Sequence, residues 1–478
     1  MSECDVVVVG GGISGLATAH CLARSGLAVE LWESASRVGG KIHTVSKDGY
    51  CLDSAASMVM NLRNEVDAFI ETSGLKPSKL PRTPGNKRYV LDASRLQEVP
   101  TGFGKLLKTP LLSTAGKLRL LAEPLIGRGK DPHESVAKFV GRRLGREFLE
   151  KVFEPYLAGP LASDVDHAEA VSTMPRLRAL ETRYGSLALG ALLHKCLSRG
   201  SAARPQAFSF SGGMASLTDG LARNGGFQLR KGLHANGIWP VNGGWMVAGT
   251  GDQQSRTVFA RQLVLSTPAG AAARLVHALD PLLAELLGGI DYAPIKVVHT
   301  GFERARVGHP LGGSGFLVPR YSGFECNGCL WISSLFPGHA PAGKVLLTTY
   351  LGGARNPAAA GWDQTRCLDA VSPMLRKLLA ARGEPDMVHI ASHQSALPLY
   401  HGRYSERLSR IAAHLEQLPG LHLEANYRGG VSVRDRILCA QAAASRILRQ
   451  QQEKPARTSI WLDSSKLPDV AAATGTVS

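Results

Sequence analysis

The hydrophobic pattern of the first thirty-odd residues predicts a strand, a helix and a second strand. Val6 to Val9 is an entirely β-branched run, as expected of a central parallel strand that is buried on both faces. Apolar residues then recur at helical spacing from Leu16 to Arg24, Gly26 ends this helix, and Ala28 to Trp32 forms the second strand. The order indicates a βαβ unit.

A glycine-rich loop joins the first strand to the helix. Gly10 allows a tight turn, Gly12 lets backbone N–H groups approach a pyrophosphate, and Gly15 lets the helix pack closely on the strand. The N-terminus of the helix favours phosphate, and Glu33, which closes the second strand, can accept ribose hydroxyls. The context predicts a dinucleotide site with contacts from Gly10, Gly11, Gly12, Ile13, Ser14, Gly15, Glu33 and Ser34.

Further strands are predicted later in the chain. The runs Leu263 to Leu265, Lys296 to Phe302 and Val345 to Tyr350 are rich in β-branched and other apolar residues. After about residue 450 the chain turns polar, and residues 454–478 are expected to form a loose tail. A chain of 478 residues is long enough for two or three lobes and for burying a large cofactor.

Charge and cysteine usage limit the classes of partner. The net charge of +16 favours anionic partners, but Lys and Arg are scattered and no nucleic-acid-binding module is present, so no nucleic acid is expected. Eight cysteines without framework spacing indicate reduced thiols in a cytoplasmic compartment. Neither a leader peptide nor a membrane-spanning run of about eighteen apolar residues is expected.

The sequence Cys326-Asn327-Gly328-Cys329 contains a strong hairpin signal. Asn-Gly between strand-like residues predicts a tight turn that the two cysteines flank. The alternative is a metal or redox site, but a metal would require a second ligand pair, so no metal is expected.

Two segments give the chain a resemblance to a known family. Arg37-Val38-Gly39-Gly40-Lys41 follows the second strand, and Ala425-Asn426-Tyr427-Arg428-Gly429-Gly430-Val431-Ser432-Val433-Arg434-Asp435 lies near the other end. Together they resemble the flavin amine oxidase superfamily, whose cofactor is FAD. The resemblance implies further FAD contacts from Gly39, Gly40, Lys41, Ala55, Ala56, Ser57, Ala235, Asn426, Val431, Ser432 and Val433.

The superfamily interleaves its domains, and this implies an α/β fold. An FAD-binding Rossmann-like domain would be interleaved with a strand-rich substrate domain and a helical insertion. The FAD-binding domain is expected from residues 1–85, 208–270 and 415–450, the substrate domain from 86–100 and 271–414, and the insertion from 101–207.

Within the superfamily the chain looks most like protoporphyrinogen oxidases. Short segments in the same order carry this likeness, among them Lys87-Arg88-Tyr89-Val90, Tyr184-Gly185-Ser186-Leu187 and Gly352-Gly353-Ala354-Arg355. The resemblance implies an anionic tetrapyrrole substrate and dioxygen as the electron acceptor. It places Arg88, Ser57 and Gly159 beside the substrate, where the Arg88 guanidinium would match a propionate. The alternative for Arg88 is a solvated or structural arginine.

Three departures from the family leave the substrate open. The Gly-Pro pair expected after the second acidic strand is absent from Asp53-Ser54-Ala55-Ala56-Ser57, and the glycine-histidine pair appears as Arg403-Tyr404. Lys296 resembles the amine oxidase lysine that reaches flavin N5 through a water, and it is the candidate catalytic residue. The alternative, which strand alternation allows, is that Lys296 faces outward. Oxidation of an amine in a specialised pathway and a paralogue without turnover therefore stand beside porphyrinogen oxidation.

The segment from about 100 to 130 mixes apolar and basic residues. Its apolar residues are Phe103, Leu106, Leu107, Leu111, Leu112, Leu118, Leu120, Leu121, Leu125 and Ile126, and its basic residues are Lys105, Lys108, Lys117, Arg119 and Arg128. Such a segment suits peripheral attachment to an anionic membrane surface. An amphipathic helical pair that covers a substrate tunnel is the alternative.

Overall fold

The computed structural model describes residues 2–61, 63–85, 87–100, 103–197, 206–251 and 255–452. The loose tail predicted for residues 454–478 lies outside these ranges.

A mixed seven-stranded sheet contains the first strand of the chain. The strand order is β10-β2-β1-β13-β12-β11, and β19 pairs with β13. β1 pairs in parallel with β2 and β13, whereas β12 is antiparallel to both β13 and β11. The strands are β1 (Ser2–Val9), β2 (Val29–Glu33), β10 (Gln228–Lys231), β11 (Leu233–Val241), β12 (Gly244–Gly251), β13 (Ser255–Leu265) and β19 (Leu421–Leu423). The valines of β1 are buried on both faces, as the sequence predicts.

Helices cover both faces of this sheet. α1 packs against α17 on one face, in a core that includes Leu16, Val264 and Ile437. α12 and α13 pack on the other face around Trp245 and Leu263. The helices of this part are α1 (Ile13–Arg24), α2 (Asn64–Thr72), α11 (Ala215–Asn224), α12 (Ala269–Val276), α13 (Pro281–Gly288), α16 (Tyr404–Glu416) and α17 (Val433–Gln452).

A second seven-stranded sheet has the order β18-β14-β17-β16-β15-β7-β8. Its strands are β7 (Tyr89–Asp92), β8 (Arg95–Glu98), β14 (Tyr292–Glu303), β15 (Gly315–Leu317), β16 (Cys326–Trp331), β17 (Lys344–Gly352) and β18 (Met387–Pro398). α15 (Gln364–Leu379) covers one face of this sheet, and α14 (Ile332–Leu335) follows β16. Apart from the short parallel pair of β15 with β7, its pairings are antiparallel.

The hairpin turn predicted at Asn327-Gly328 is wrong. Both residues lie inside β16, where the register with β17 shifts between Cys326 and Gly328, as in a β-bulge. Asn327 Nδ2 donates to Gly352 O at 3.0 Å, and a Cβ on Gly328 would lie 2.6 Å from Phe316 O. The Asn-Gly pair therefore allows neighbouring strands to lie close together, and the chain does not reverse direction there.

Small sheets connect the two large ones. β3 (Thr44–Lys47) pairs with β4 (Tyr50–Asp53), and β9 (Gln206–Phe210) lies between β5 (Val59–Asn61) and β6 (Lys79–Pro81). The chain therefore passes from the cofactor loop towards the second sheet through residues 53–61.

Residues 103–197 form a helical region. Its helices are α3 (Phe103–Lys108), α4 (Thr114–Leu121), α5 (Val136–Leu144), α6 (Arg146–Phe148), α7 (Glu154–Leu161), α8 (Ala170–Thr173), α9 (Pro175–Tyr184) and α10 (Leu187–Leu197), with a π-helical turn at Leu149–Phe153. Buried Arg143 pairs with Glu123 and lies 3.8 Å from Glu181. Arg142 bridges Glu134 and Glu181.

Candidate functional site

The loop between β1 and α1 has the geometry of a dinucleotide turn. Gly10 has a φ of +110°, which favours glycine, and a Cβ on Gly15 would lie 1.9 Å from Gly10 O. At Gly12 a Cβ would meet no atom within 4 Å, so this side of the loop is open. α1 has no side-chain cap at its N-terminus and no acidic residue in its first turn. Its backbone N–H groups therefore suit an anionic ligand.

Glu33 lies at the end of β2, directly beside this loop. Its carboxylate accepts from Gly11 N at 2.7 Å and from Ala35 N at 2.8 Å, and Ser34 Oγ donates to it at 3.3 Å. Ala235 on β11 belongs to the same core cluster as Trp32 of β2. These contacts fix the Glu33 carboxylate next to the glycine loop.

The double-glycine segment closes over the first loop. Gly39 N donates to Gly11 O at 2.8 Å, and both Gly39 and Gly40 have positive φ values. The Lys41 ammonium lies 5.2 Å from the centroid of the Tyr292 ring, and burial lowers the pKa of Lys41 to about 8. Lys41 has no carboxylate partner among the described residues. A cation in this position fits the pyrophosphate of a dinucleotide.

Residues 53–57 lie between the two large sheets. Asp53 Oδ1 accepts from Thr44 Oγ1 at 2.6 Å and from Met214 N at 2.8 Å, and burial raises the pKa of Asp53. His393 Nε2 of β18 donates to Ser54 O at 2.7 Å. Ser57 Oγ shares a hydrogen bond with Tyr350 OH of β17 at 3.4 Å. Ala55 and Ala56 complete this crossing, which joins the cofactor side to the second sheet.

The C-terminal segment reaches the same region. Gly429 and Gly430 have positive φ values, and Ser432 Oγ accepts from Asp435 N at 3.1 Å at the start of α17. Val431 lines a small cavity with Leu161, Ser163, Thr173, Pro398 and Tyr400. Asn426 and Val433 flank this turn, so the segment lies where α17, the helical region and the second sheet converge.

The predicted substrate residues Arg88 and Gly159 have different surroundings. Arg88 is exposed and its Nη2 donates to Met60 Sδ at 3.5 Å. The pKa of Arg82 is lowered, first by burial and then by the charge of Arg88. Neither arginine has a carboxylate partner in the described part of the chain. At Gly159 a Cβ would lie 2.7 Å from Leu317 Cδ2 of β15, so the helix packs closely on this strand, and the substrate role of Gly159 stays a prediction.

The structure does not bring Lys296 together with the other candidate residues. Its ammonium donates to Ser392 Oγ at 2.9 Å and is 8% exposed. Lys296 shares its face of β14 with Val298 and Phe302, which pack against α15. Ser57 and Tyr350 lie on the opposite face, beside Val297. Because the side chains of neighbouring β14 residues point to opposite faces, Lys296 lies buried on the face that α15 covers, and its catalytic role stays a prediction.

Two tyrosines that the sequence did not single out lie close to the C-terminal segment. Tyr400 and Tyr404 have ring centroids 4.7 Å apart, and the Tyr404 hydroxyl donates to Tyr427 O at 2.7 Å. The signal in the sequence was the replacement of the family's glycine-histidine pair by Arg403-Tyr404. That pattern could not reveal a contact with a carbonyl 23 residues away.

No helix in the described ranges is both long enough and apolar enough to cross a membrane. No group of three or more His, Cys, Asp or Glu side chains in them is arranged to hold a metal ion.

Comparisons with known proteins agree with this geometry. The family model for flavin containing amine oxidoreductase matches residues 13–448. The mitochondrial protoporphyrinogen oxidase of Nicotiana tabacum is 32% identical over 464 residues, which cover 90% of this chain and 91% of that protein. The coproporphyrinogen III oxidase of Bacillus subtilis (strain 168) is 27% identical over 462 residues, which cover 92% of this chain and 97% of that protein.

The fold is also shared with a solved structure from Exiguobacterium sp. 255-15. The two have a TM-score of 0.77 at 24% sequence identity, and the match covers 94% of this chain and 99% of that one. The predicted α/β fold and the resemblance carried by the two glycine-rich segments are confirmed. The chain therefore belongs to the flavin containing amine oxidoreductase family and is an oxidoreductase similar to protoporphyrinogen oxidases.

Proposed function

We propose that the protein binds FAD and oxidises a porphyrinogen, with dioxygen as the electron acceptor. The observation that carries this proposal is the similarity, along about nine-tenths of the chain, to two enzymes named for porphyrinogen substrates. The bound FAD would accept a hydride from the substrate. The residues of the chain would bind and orient the cofactor and the substrate, and they would exclude water from the site.

The proposed FAD contacts follow from the geometry described above. Gly12 and the first turn of α1 offer backbone donors to the pyrophosphate, Lys41 supplies a cation, and the Glu33 carboxylate is fixed for the ribose. The crossing at residues 53–57 and the turn at 429–433 would border the reacting part of the cofactor. These assignments extend to Ile13, Ser14 and Ala235, which remain sequence predictions.

Arg82 and Arg88 support an anionic substrate. The pKa of Arg82 is lowered by burial and by the charge of Arg88, so an anion bound beside the two guanidinium groups would stabilise the charge of Arg82. The propionates of a porphyrinogen have the required charge. The geometry of Lys296 gives no comparable support to the amine oxidase alternative.

A substrate panel tests this function directly. We expect the purified, FAD-loaded protein to release hydrogen peroxide with protoporphyrinogen or coproporphyrinogen III and none with a panel of primary and secondary amines. Peroxide release with amines alone would show that the porphyrinogen assignment is wrong. No turnover with either class would favour the paralogue without activity.

Replacement of Arg88 tests the anionic end of the substrate. We expect Arg88→Ala to raise the KM for the porphyrinogen about tenfold to a hundredfold with a smaller effect on kcat, because a hydrogen bond to a charged group contributes roughly 1.5–3 kcal/mol. Arg95→Ala is the matched control, since Arg95 is also an exposed arginine and lies at the turn between β7 and β8. Equal KM values for wild type and Arg88→Ala would contradict substrate binding by Arg88 and would indicate that Arg88 is a solvated residue.

Lys296 gives a second prediction of this model. Because its ammonium lies on the α15 face, we expect Lys296→Met to leave the rate constant for reoxidation of the enzyme by dioxygen within about twofold of wild type. A preorganised cation at the reacting centre would instead cost roughly two to three orders of magnitude when removed. Stopped-flow reoxidation measures the difference. A decrease of that size in the reoxidation rate constant would indicate that Lys296 acts at the flavin and would support the amine oxidase alternative.

Membrane contact remains a prediction, and the structure narrows the residues that could make it. Leu111, Leu112 and Leu120 are buried, and Arg119 donates to the carbonyls of Arg142 and Arg143 inside the helical region. The exposed apolar side chains are instead Leu118, Leu121, Leu125, Leu189, Leu192 and Leu193. α10, which carries Leu189, Leu192 and Leu193, contacts the turn that contains Leu125.

A further inference from the structure

Five consecutive backbone carbonyls between β19 and α17 accept hydrogen bonds from side chains. They belong to residues Ala425 to Gly429, directly before the turn at Val431. The donors are Arg436 Nη1 to Ala425 O (2.6 Å), Tyr400 OH to Asn426 O (3.4 Å), Tyr404 OH to Tyr427 O (2.7 Å), Arg436 Nη2 to Arg428 O, and Cys439 Sγ to Gly429 O (3.7 Å). A loop without regular structure thus has its peptide planes fixed one after another.

The donors come from two different parts of the chain. Arg436 and Cys439 lie on α17, which continues from the loop itself. Tyr400 lies in the connection between β18 and α16, and Tyr404 is the first residue of α16, so both hold the loop from the side of the second sheet. Burial raises the pKa of both tyrosines, which keeps their hydroxyls protonated as donors at any working pH.

The connection that carries the two tyrosines is itself held by the helical region. The fully buried Glu169 carboxylate accepts from Ser405 N at 2.7 Å and from Ser405 Oγ at 2.8 Å, and His133 Nδ1 lies 2.6 Å from it. Glu169 N donates to Tyr400 O at 2.7 Å. Tyr404 therefore has little freedom to follow the loop if the loop moves.

We propose that Tyr404, assisted by Tyr400, is a positioning residue for the flavin: its hydroxyl fixes the Tyr427 peptide and so sets the direction of the N–H groups that follow it. The inference rests on the proposed FAD site at residues 429–433. Fixed N–H dipoles and a helix N-terminus stabilise negative charge more than mobile ones do, because they need no reorganisation. Tyr404 therefore influences how readily the bound cofactor accepts electrons without touching substrate.

Tyr404→Phe isolates this hydroxyl, since the ring that packs against Tyr400 is kept. Tyr427→Phe is the matched control. The Tyr427 hydroxyl belongs to the same buried cluster but has no hydrogen-bond partner in the described part of the structure. Its removal tests packing and polarity without breaking a hydrogen bond.

The measurements are the two-electron potential of the bound flavin and the Kd for FAD after reconstitution of the apoprotein. For Tyr404→Phe we expect FAD affinity to fall up to about tenfold, the value of one net hydrogen bond. We expect the affinity for the reduced cofactor to fall a further tenfold, which lowers the potential by about 30 mV. Tyr400→Phe, with its longer bond, should shift both quantities less and in the same direction. The potential of Tyr427→Phe should equal that of wild type.

Two results would overturn the inference. One is a Tyr404→Phe potential equal to that of wild type in a protein with an unchanged circular dichroism spectrum. The other is an equal shift in Tyr427→Phe, which would reduce the role of Tyr404 to packing. If Tyr404→Phe does not fold, Tyr400→Phe decides by the same criteria. Failure of the wild type to bind FAD would refute the proposed function itself. The experiment therefore distinguishes failure of the proposed function from failure of the inference about Tyr404.

Discussion

Gly12→Ala is expected to weaken FAD binding by about tenfold to a hundredfold while leaving the apoprotein folded. This range corresponds to an overpacking cost of roughly 1–3 kcal/mol. Gly12 has φ −71° and ψ 175°, which alanine adopts without strain, and its Cβ would meet no protein atom within 4 Å. The methyl group would instead enter the space that the loop leaves for the pyrophosphate. Fluorescence titration of the apoprotein with FAD measures the effect.

Substitutions of two other glycines serve as comparisons for Gly12→Ala. Gly15→Ala brings a Cβ to 1.9 Å from Gly10 O, so backbone must move and both folding and FAD binding should suffer. Gly270→Ala, on α12 with open space around its Cβ, should leave FAD affinity unchanged and add up to about 1 kcal/mol of stability, because alanine favours helix. Wild-type FAD affinity in Gly12→Ala would contradict the pyrophosphate assignment.

Arg143→Met is expected to reduce the free energy of unfolding by about 3–5 kcal/mol, the cost of leaving one partner of a buried ion pair alone. Arg143 is 0% exposed and donates to Ile126 O at 2.6 Å and to Gly185 O at 2.8 Å. Its loss also leaves the Glu123 carboxylate buried without a cation. Because methionine keeps the apolar stem of the side chain, the loss of stability measures the contribution of the Arg143 charge and its hydrogen bonds.

Chemical denaturation followed by circular dichroism measures this destabilisation. Arg146→Met is the control, because Arg146 forms an i,i+4 pair with Glu150 on the surface and its side chain is 88% exposed. Its effect should stay below about 0.5 kcal/mol. A loss of similar size in both variants would show that the buried network contributes little.

The sequence predicted the cofactor loop because each of its features is local. The valines of β1, the spacing of glycines 10, 12 and 15, and the acidic end of β2 lie within one βαβ unit. Backbone geometry alone requires them there. The structure confirms the strand-helix-strand unit, and the individual cofactor contacts stay predictions.

Local sequence is insufficient where distant neighbours decide the outcome. Strand alternation allowed either face for Lys296, and only the packing of α15 against Val298 selects one. Asn327-Gly328 has the local signal of a turn, but pairing of β16 with β15 and β17 keeps it extended. Arg119 was grouped with surface cations because the sequence could not show that it binds carbonyls of α5.

The pairing of α1 with α17 has a consequence for synthesis. The ribosome makes the glycine loop within the first 15 residues, but β13, β19 and α17, which complete the sheet and cover α1, follow more than two hundred to four hundred residues later. Domains generally fold as units as the chain emerges. The nascent first segment therefore has no complete partner surface until α17 has been synthesised, and cofactor loading becomes a late event that chains ending before α17 cannot reach.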